Sequence, residues 1–212
     1  MNKKFKNIIF DCDSTLVKVE GLDEIARRKG LLKRVREITA AGMNGYLPFS
    51  QSLRKRLKII QPTENDLVWL GWQYVQELVS DAAMVIEELK FRGLNVFILT
   101  GGLLPAVEVL GDYLEIKSKN VCAVSLKESD HFRASGPIGT NDLDTFKIKF
   151  VQQIQETGPT VLVGDGMTDF EAGKHADLFI GFGGVVFRPQ LKKLCQFYIE
   201  EPRLQPVLDI VL

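Results

Sequence analysis

The sequence predicts an α/β protein in which a doubly wound parallel sheet carries one small helical insertion. Three apolar runs have the length and composition of buried parallel strands, and they lie at residues 8–10, 94–99 and 160–163. Strand and helix patterns alternate outside residues 17–79, as is typical of a parallel sheet covered by helices. Residues 17–79 have a helical pattern throughout and are longer than the roughly one dozen residues of a crossover. We therefore predict a core of residues 1–16 and 80–212 with an inserted α-helical cap of residues 17–79.

Four helices are predicted within the insertion because apolar residues recur every three or four positions, and they cover residues 20–29, 31–43, 50–60 and 63–79. Gly30 ends the first helix, and residues 42–48 form a loop because they are rich in Gly, Asn and Pro. Ser50 has the position of an N-cap for the third helix. Thr63 and Asp66 have the spacing of a capping box, so the fourth helix begins there.

The remainder of the chain is predicted to alternate between helices and strands. Helices are predicted at residues 81–92, from about 103, at 144–155 and 169–175, and from about 203. Further strands are predicted at residues 178–180 and 197–199, and two short ones lie within 121–138. Gly93 ends the helix that begins after Ser80, Pro105 fits a first helical turn, and Ser129 with Asp130 marks a polar turn.

The composition excludes several classes of protein. The chain has 212 residues, of which 45% are hydrophobic and 25% charged, and its formal net charge is zero. These values are ordinary for a globular protein and give no sign of a nucleic-acid partner. No apolar stretch approaches the roughly 18 residues of a membrane span, so we expect no membrane partner. The sequence is compatible with a homodimer but does not require one.

Positive charge is concentrated in the predicted cap. Between Arg27 and Lys58 there are ten Lys or Arg residues and one acid, Glu37, so this segment carries +9 and the remainder −9. One interpretation is a set of solvated helix faces. The other is a basic lid that draws an anionic small molecule toward an acidic site.

The cysteines indicate a reducing compartment. Cys12, Cys122 and Cys195 are odd in number and widely spaced, so no disulfide framework or zinc site is predicted. Cys12 follows the first strand by two positions, and alternation directs it away from the neighbouring aspartates, so we expect a packed thiol. Only three consecutive apolar residues precede Asp11, so a signal peptide is not expected and the cytoplasm is the predicted location.

Each of the three apolar strands ends in a cluster of small or polar residues, and these clusters are Asp11 with Asp13, Thr100 with Gly101 and Gly102, and Asp165 with Asp169. The carboxyl ends of parallel strands meet at one edge of a sheet, which is where such sheets bind ligands. Two aspartates as close as Asp11 and Asp13 raise each other's pKa unless a cation lies beside them. Carboxylate oxygens suit Mg²⁺, while a hydroxyl, glycine amides and a lysine suit phosphate. The pattern therefore predicts a magnesium-dependent phosphoryl-transfer site with Asp11 as nucleophile.

Other interpretations of these residues remain open. The aspartates could form a helix cap or an Asx turn, Thr100 could cap the following helix, and the glycines could serve ordinary tight turns. Two residues are candidates for the phosphate-binding lysine, because Lys147 and Lys149 lie near the start of the same predicted helix. Motif spacing favours Lys147, and charge alone does not distinguish the two.

Four motifs in this order resemble the haloacid dehalogenase-like phosphatases. They are DCDST at 11–15, TGG at 100–102, Lys147, and GDGMTD at 164–169. The cap stretch AGMNGYLPFSQSLRKRL further resembles a branch whose substrate is a phosphorylated amino acid. The resemblance covers nearly the whole chain and implies a Rossmann-like core with a small helical cap. Thr100 replaces the serine common in this branch, and the residues after Lys147 lack a glycine that is often found there.

The resemblance also implies a role for each residue of the core motifs. Asp11 would attack phosphorus and become an aspartyl-phosphate, and Asp13 would protonate the leaving alkoxide and then accept a proton from water. Mg²⁺ would be held by Asp11, by Asp165 and by the backbone carbonyl of Asp13, while Asp169 supports these ligands. Lys147 would bind phosphate.

Substrate-binding residues are implied in the cap and at the strand ends. Glu20 would meet the substrate ammonium group and Arg56 its carboxylate, while Met43 and Phe49 would line the pocket. Thr100, Gly101, Gly102 and Thr168 would bind around the phosphate. Ordinary structural roles compete with these assignments, since Glu20 can complement a helix dipole, Arg56 can be a solvated base, and Met43 and Phe49 can be cap core.

The predicted function is Mg²⁺-dependent hydrolysis of a small-molecule phosphomonoester, with a place in amino-acid biosynthesis implied by the resemblance. A related phosphatase acting on another small phosphorylated metabolite is the nearest alternative. A phospho-accepting receiver-like signalling domain, which also uses a strand-end Asp, a Thr and a Lys, is an alternative of a different class. Such a domain does not need the long helical insertion. An inactive binding protein is less favoured, because every chemical position is filled.

Overall fold

A mostly parallel sheet runs through the chain in a computed structural model that describes residues 5–127, 131–136 and 138–212. The described residues form seven strands, which are β1 (Asn7–Phe10), β2 (Asn95–Leu103), β3 (Val121–Lys127), β4 (His131–Ala134), β5 (Thr160–Gly164), β6 (Leu178–Phe182) and β7 (Phe197–Ile199). Their order is β4-β3-β2-β1-β5-β6-β7. All neighbouring pairs are parallel except β3 with β4.

Strand β1 lies at the centre of the sheet, where the winding direction reverses. It pairs with β2 on one side and with β5 on the other, and Ile8, Ile9 and Phe10 are fully buried. Successive strands lead outward from β1 in both directions, so the prediction of a doubly wound α/β fold is confirmed. Crevices at such a reversal point are where open α/β sheets bind ligands.

Ten α-helices accompany the sheet within the described residues, and they are α1 (Gly21–Arg28), α2 (Leu32–Met43), α3 (Phe49–Ile60), α4 (Glu64–Gln76), α5 (Ala82–Phe91), α6 (Leu104–Tyr113), α7 (Phe146–Gln155), α8 (Met167–Gly173), α9 (Pro189–Leu194) and α10 (Gln205–Val211). Helices α5 and α6 pack against β2, and α7 and α8 pack against β5. No helix among these described segments is long and apolar enough to cross a membrane.

Helices α1 to α4 form one consecutive helical segment between β1 and α5. The chain enters and leaves this segment side by side, because Val17 and Leu78 form an antiparallel bridge and the amide of Lys18 donates to the carbonyl of Glu77 at 2.8 Å. Helix α4 packs against α6 of the sheet layer. The division into a core of residues 1–16 and 80–212 and a cap of 17–79 stays a prediction.

The structure corrects the predicted N-cap of α3. Helix α3 begins at Phe49 and its N-cap is Pro48, so Ser50 lies inside the first turn. The amide and hydroxyl of Ser50 instead donate to the carboxylate of Asp144 at 2.8 and 2.6 Å. A free amide of the first helical turn is thus satisfied from a distant part of the chain, which a local pattern does not reveal.

Other element boundaries differ less. The capping box of Thr63 and Asp66 is confirmed. Strand β2 continues four residues beyond the prediction through an irregular register, and α8 begins two residues early. Helix α9 was not predicted. The predicted turn near Ser129 and Asp130 lies outside the described residues, although β3 and β4 on either side of it pair as expected.

The side chain of Asn7 ties the start of β1 to its neighbours. Asn7 is fully buried, and its amide donates to the hydroxyl of Thr157 at 3.0 Å and to the carbonyl of Gly158 at 3.2 Å. Its carbonyl oxygen accepts from Asn95 at 3.0 Å. Removing this side chain leaves buried partners without hydrogen bonds and opens a small void.

We therefore expect Asn7→Ala to lower the free energy of unfolding by about 2–4 kcal/mol, measured by urea titration. Asn65→Ala is the control because Asn65 is exposed on α4, and it should change stability by less than about 0.5 kcal/mol. Equal effects of the two substitutions would contradict a structural role for the Asn7 amide.

Candidate active site

The polar clusters that follow β1, β2 and β5 lie at one edge of the sheet. Asp11 directly follows β1, and its amide donates to the carbonyl of Val163 in β5 at 2.9 Å. Asp165 follows β5, and Thr100 lies within the neighbouring β2. Because β1 pairs with both of the other strands, these three side chains converge.

Lys147 joins two of the carboxylates. Its Nζ donates to Asp11 Oδ1 at 2.7 Å and to Asp169 Oδ1 at 2.6 Å, and all three side chains are buried. Burial alone would lower the pKa of Lys147, but Asp11 and Asp169 raise it above its usual value, so the ammonium stays charged. Lys149 lies on the surface, where it pairs with Asp142 at 3.0 Å. The structure thus places Lys147 in the site and Lys149 outside it.

Asp169 is fixed by the turn that begins α8. Its Oδ2 accepts from the amide of Gly166 at 3.0 Å while its Oδ1 faces Lys147. A Cβ atom on Gly164 would lie 2.5 Å from the Cβ of Asp169, so only glycine permits this approach. The G-D-G pattern therefore serves side-chain positioning as well as the turn itself.

Three buried carboxylates form a group that can hold a metal ion. Oxygen atoms of Asp11, Asp165 and Asp169 lie within 4.8 Å of one another. Oδ1 of Asp165 is buried and has no hydrogen-bond partner among the described residues, as expected of an oxygen that binds a cation. Burial raises the pKa of Asp165 to about 6 although Arg188 counteracts it, so its ionised form needs further positive charge. These observations fit a hard divalent cation.

Asp13 lies beside this carboxylate group rather than within it. Its Oδ2 accepts from the amide of Gly21 at the start of α1 at 3.0 Å, and its Oδ1 is buried without a partner among the described residues. Burial raises the pKa of Asp13, while the nearby hydroxyl of Tyr74 and the amide of Gly21 oppose the rise. Its side chain is not one of the clustered ligand atoms, and the ligand predicted from Asp13 was its backbone carbonyl.

The sequence-predicted residues surround one cavity of about 360 Å³. All of them line it except Asp165, which is fully buried, and the lining members are Asp11, Asp13, Glu20, Met43, Phe49, Arg56, Thr100, Gly101, Gly102, Lys147, Thr168 and Asp169. The cavity therefore lies between the carboxyl edge of the sheet and the helices α1 to α4, and it has charged groups on both sides.

Thr100, Gly101 and Gly102 lie within β2 and do not form the turn with free amides that the glycines suggested. The amide of Gly102 donates to the hydroxyl of Thr100 at 3.0 Å, so it is already paired. The ring of Phe49 packs over Gly101, where a Cβ atom would lie 2.5 Å from the ring, and it also contacts Phe146 at 5.9 Å between centroids. Phe49 thus closes one side of the cavity.

Glu20 and Arg56 lie on the helical side of the cavity. Oε1 of Glu20 accepts from the hydroxyl of Ser14 at 2.7 Å, and burial together with Asp13 and Asp165 raises the pKa of Glu20 well above its usual value. Burial lowers the pKa of Arg56, while Glu20, Asp23 and Asp13 counteract it. An acid and a base thus lie on the same side of the cavity, each within electrostatic reach of the other.

Three residues of the site were missed by sequence reasoning. Ser14 has a left-handed backbone with φ of 56°, and its hydroxyl orients Glu20. Arg188 donates through Nε and Nη2 to Oδ2 of Asp165 at 3.0 and 2.7 Å. Tyr74 of α4 is fully buried and lines the cavity. Ser14 lies within the DCDST motif and could have been considered, but no local pattern indicates Arg188 or Tyr74.

Cys12 has no place in this chemistry. It is buried in the hydrophobic core, and burial together with Asp13 and Asp11 raises its pKa well above the usual value, so it remains a thiol. The three cysteines, all within the described ranges, are free of disulfide bonds.

The fold and the carboxylate cluster suit metal-dependent phosphoryl transfer, and comparison with known proteins identifies the class. Residues 5–177 match the model of the haloacid dehalogenase-like hydrolases, and the chain belongs to that family. The resemblance found in the sequence motifs is therefore confirmed.

Within this family the chain is similar to phosphoserine phosphatases over most of its length. It is 35% identical to that of Bos taurus, across 92% of this chain and 88% of the relative. It is 32% identical to that of Methanocaldococcus jannaschii across the full length of both. A solved structure of a phospho-aspartyl intermediate analogue of phosphoserine phosphatase is 32% identical, covers 99% of this chain and 100% of its own, and has a TM-score of 0.79.

Proposed function

We propose that this protein is a phosphoserine phosphatase, which hydrolyses O-phospho-L-serine to L-serine and phosphate with Mg²⁺ as its metal. One observation carries the proposal: the same cavity is lined by Asp11 and Lys147 at the sheet edge and by Glu20 and Arg56 on the helical side. The first pair suits a phosphoryl group, and the second suits the ammonium and carboxylate groups of an amino acid. The similarity to phosphoserine phosphatases supports the same substrate.

The first chemical step transfers the phosphoryl group to the protein. A carboxylate oxygen of Asp11 attacks phosphorus, a new O–P bond forms, and the bond from phosphorus to the serine oxygen breaks. Asp13 gives its proton to that leaving oxygen, and the raised pKa of the buried Asp13 favours the protonated form that this step needs. Lys147, held against Asp11 at 2.7 Å, offsets the negative charge on the transferring group.

The second step returns Asp11 to its starting state. Asp13, now a carboxylate, accepts a proton from a water molecule whose oxygen attacks phosphorus. The bond between phosphorus and Asp11 breaks and inorganic phosphate leaves. The related structure of a phospho-aspartyl intermediate analogue supports this covalent route.

Asp11 and Asp165 would hold Mg²⁺ through their side chains and Asp13 through its backbone carbonyl, and Asp165 Oδ1 lacks another partner among the described residues. Asp169, whose oxygens accept from Lys147 and from the amide of Gly166, would support these ligands. A bound Mg²⁺ supplies positive charge that stabilises the transferring phosphoryl group. Arg188 keeps the other oxygen of Asp165 occupied and so orients its Oδ1.

Substrate choice is assigned to the helical side of the cavity. Glu20 binds the ammonium group and Arg56 the carboxylate, while Met43 and Phe49 form the apolar wall. Thr100, Gly101, Gly102 and Thr168 surround the phosphate. This arrangement favours an amino-acid phosphate over a phosphorylated sugar or alcohol, because Glu20 and Arg56 would otherwise face no opposite charge on the substrate.

A substrate panel with one variant tests this function. We expect Mg²⁺-dependent phosphate release to be fastest with phosphoserine, and Arg56→Ala to raise KM for it by about 10–100-fold because a charged hydrogen bond is lost. Phosphoethanolamine lacks the carboxylate, so its KM should change by less than about threefold in the same variant. Phosphate release is measured under steady-state conditions.

Lys55→Ala is the matched control for Arg56, since Lys55 is exposed on the same helix. Fastest release from a phosphate without an amino-acid head would replace the proposal with a related phosphatase. Stable phosphorylation of the protein without turnover would favour a receiver-like domain instead.

A further inference from the structure

The hydroxyl of Tyr74 is a buried donor that the proposed mechanism does not yet use. Tyr74 lies in the last turn of α4, is 0% exposed, and its hydroxyl oxygen has no hydrogen-bond partner of good geometry among the described residues. A buried hydroxyl without a partner costs about 1–3 kcal/mol, and buried tyrosines usually have one. Tyr74 is also one of the residues that line the substrate cavity.

This hydroxyl lies against the carboxyl group of Asp13. The amide of Gly21 donates to Asp13 Oδ2 at 3.0 Å, and a Cβ atom on the same Gly21 would overlap the Tyr74 hydroxyl. A Cβ atom on Gly102 would lie 3.3 Å from the hydroxyl, so the group sits between the acid and the phosphate side of the cavity.

Asp13 has an unpaired oxygen for such a donor. Its Oδ1 is buried and lacks a partner among the described residues, whereas its Oδ2 is bonded to Gly21. An unpaired donor on Tyr74 and an unpaired acceptor on Asp13 thus belong to two side chains that both lie against Gly21.

We infer that Tyr74 is a positioning residue for Asp13, whose hydroxyl donates to Oδ1 while the Gly21 amide donates to Oδ2. The inference rests on the proposed function. When Asp13 gives its proton to the leaving serine oxygen, the O–P bond to serine breaks and negative charge appears on the Asp13 carboxyl group. Two fixed donors stabilise that charge and hold the group in one orientation. Helix α4 thereby contributes directly to the geometry of the general acid.

The test compares leaving groups in Tyr74→Phe. Departure of serine needs a proton from Asp13, whereas acetate departing from acetyl phosphate does not. Because kcat/KM reports the steps through leaving-group departure, it should fall by about 10–100-fold for phosphoserine, the equivalent of one hydrogen bond to a charged group. For acetyl phosphate it should fall by less than about threefold. KM for phosphoserine should change little, because Tyr74 is not assigned to substrate binding.

Two further variants separate this role from a structural one. Tyr113→Phe is the control, since Tyr113 is exposed on α6, and it should leave both substrates unaffected. Gly21→Ala keeps the hydroxyl of Tyr74 but displaces it, and it should reproduce the selective loss on phosphoserine. Tyr74→Phe should still unfold in one cooperative thermal transition, with a midpoint at most a few degrees below that of the wild type, because only one hydrogen bond is lost.

If the wild-type protein hydrolyses phosphoserine, equal losses of kcat/KM on the two substrates in Tyr74→Phe would overturn the inference. No loss on either substrate would also overturn it. Equal losses accompanied by weaker inhibition by inorganic phosphate would assign the hydroxyl to phosphate binding instead. A wild-type protein that releases no phosphate from phosphoserine would overturn the proposed function itself.

Discussion

Asp11→Asn is expected to abolish phosphate release, with a loss in kcat of at least about 10⁴-fold, because the substitution removes the nucleophile of the first step. An amide oxygen is a far weaker nucleophile than a carboxylate, and the amide has nearly the same size and shape. Lys147 keeps its contact with Asp169 at 2.6 Å, so the variant retains a paired lysine. Phosphate release from phosphoserine in the presence of Mg²⁺ measures the effect.

The same substitution should not destabilise the protein. Burial raises the pKa of Asp11 well above its usual value, and Asp169 adds to the rise although Lys147 opposes it. A carboxyl group whose pKa is higher in the folded state costs stability once the pH exceeds its pKa in the unfolded chain. The neutral amide of Asp11→Asn removes that cost, so without Mg²⁺ the variant should unfold at the same or a higher urea concentration at about pH 7.5.

Asp142→Asn is the control for charge removal, because Asp142 is half exposed and pairs with Lys149 and Thr145 on the surface, away from the cavity. It should retain wild-type activity. Substantial phosphate release by a folded Asp11→Asn protein would exclude Asp11 as the nucleophile and make Asp13 the next candidate for that role.

The sequence could predict those site residues that directly follow or end an apolar strand, because the strand and the functional side chain belong to the same short stretch. The apolar run Ile8 to Phe10 predicts a buried strand, and Asp11 directly follows it. The sequence therefore predicts that this carboxylate lies at the end of a strand. The same holds for Thr100 and Asp165. Parallel pairing then brings these ends together without further information.

Contacts between residues that are distant in the sequence could not be predicted from local patterns. Arg188 follows a glycine-rich loop, and its pairing with Asp165 depends on how β6 and α9 are placed beside β5. Tyr74 has the appearance of an ordinary core residue of α4, and only the packing of α4 beside α1 brings its hydroxyl to Asp13. Ser50 was misassigned for the same reason, because its partner Asp144 lies 94 residues away.

Helical phase could have decided between the two lysines. Lys147 precedes Phe150, Val151 and Ile154 by three, four and seven positions, and these residues are buried on the inner face of α7. Lys149 is displaced by two positions, or about 200° around the helix, and is exposed. The positions of the apolar residues in α7 therefore show which lysine lies on the buried face, whereas charge alone does not distinguish the two.

Lys147→Met should therefore lower both stability and activity, whereas Lys149→Met should change neither by much. Without the Lys147 ammonium, Asp11 and Asp169 face each other as buried carboxylates, and removing one partner of a buried ion pair costs about 3–5 kcal/mol. Loss of a positive charge beside the transferring phosphoryl group should also lower kcat by about 10²–10³-fold, in proportion to one lost electrostatic contact. Urea unfolding and steady-state phosphate release measure these two effects.

Mg²⁺ distinguishes electrostatic loss from misfolding in the Lys147→Met protein. A divalent cation bound among Asp11, Asp165 and Asp169 replaces part of the missing positive charge, so Mg²⁺ should raise the unfolding midpoint more in this variant than in the wild type. Lys149→Met loses only an exposed pair with Asp142, which is worth less than about 1 kcal/mol, and its activity should stay within about twofold of wild type. If Lys149→Met were instead the inactive variant, the phosphate-binding lysine would have to be reassigned, and α7 would have to rotate from the orientation that buries Lys147.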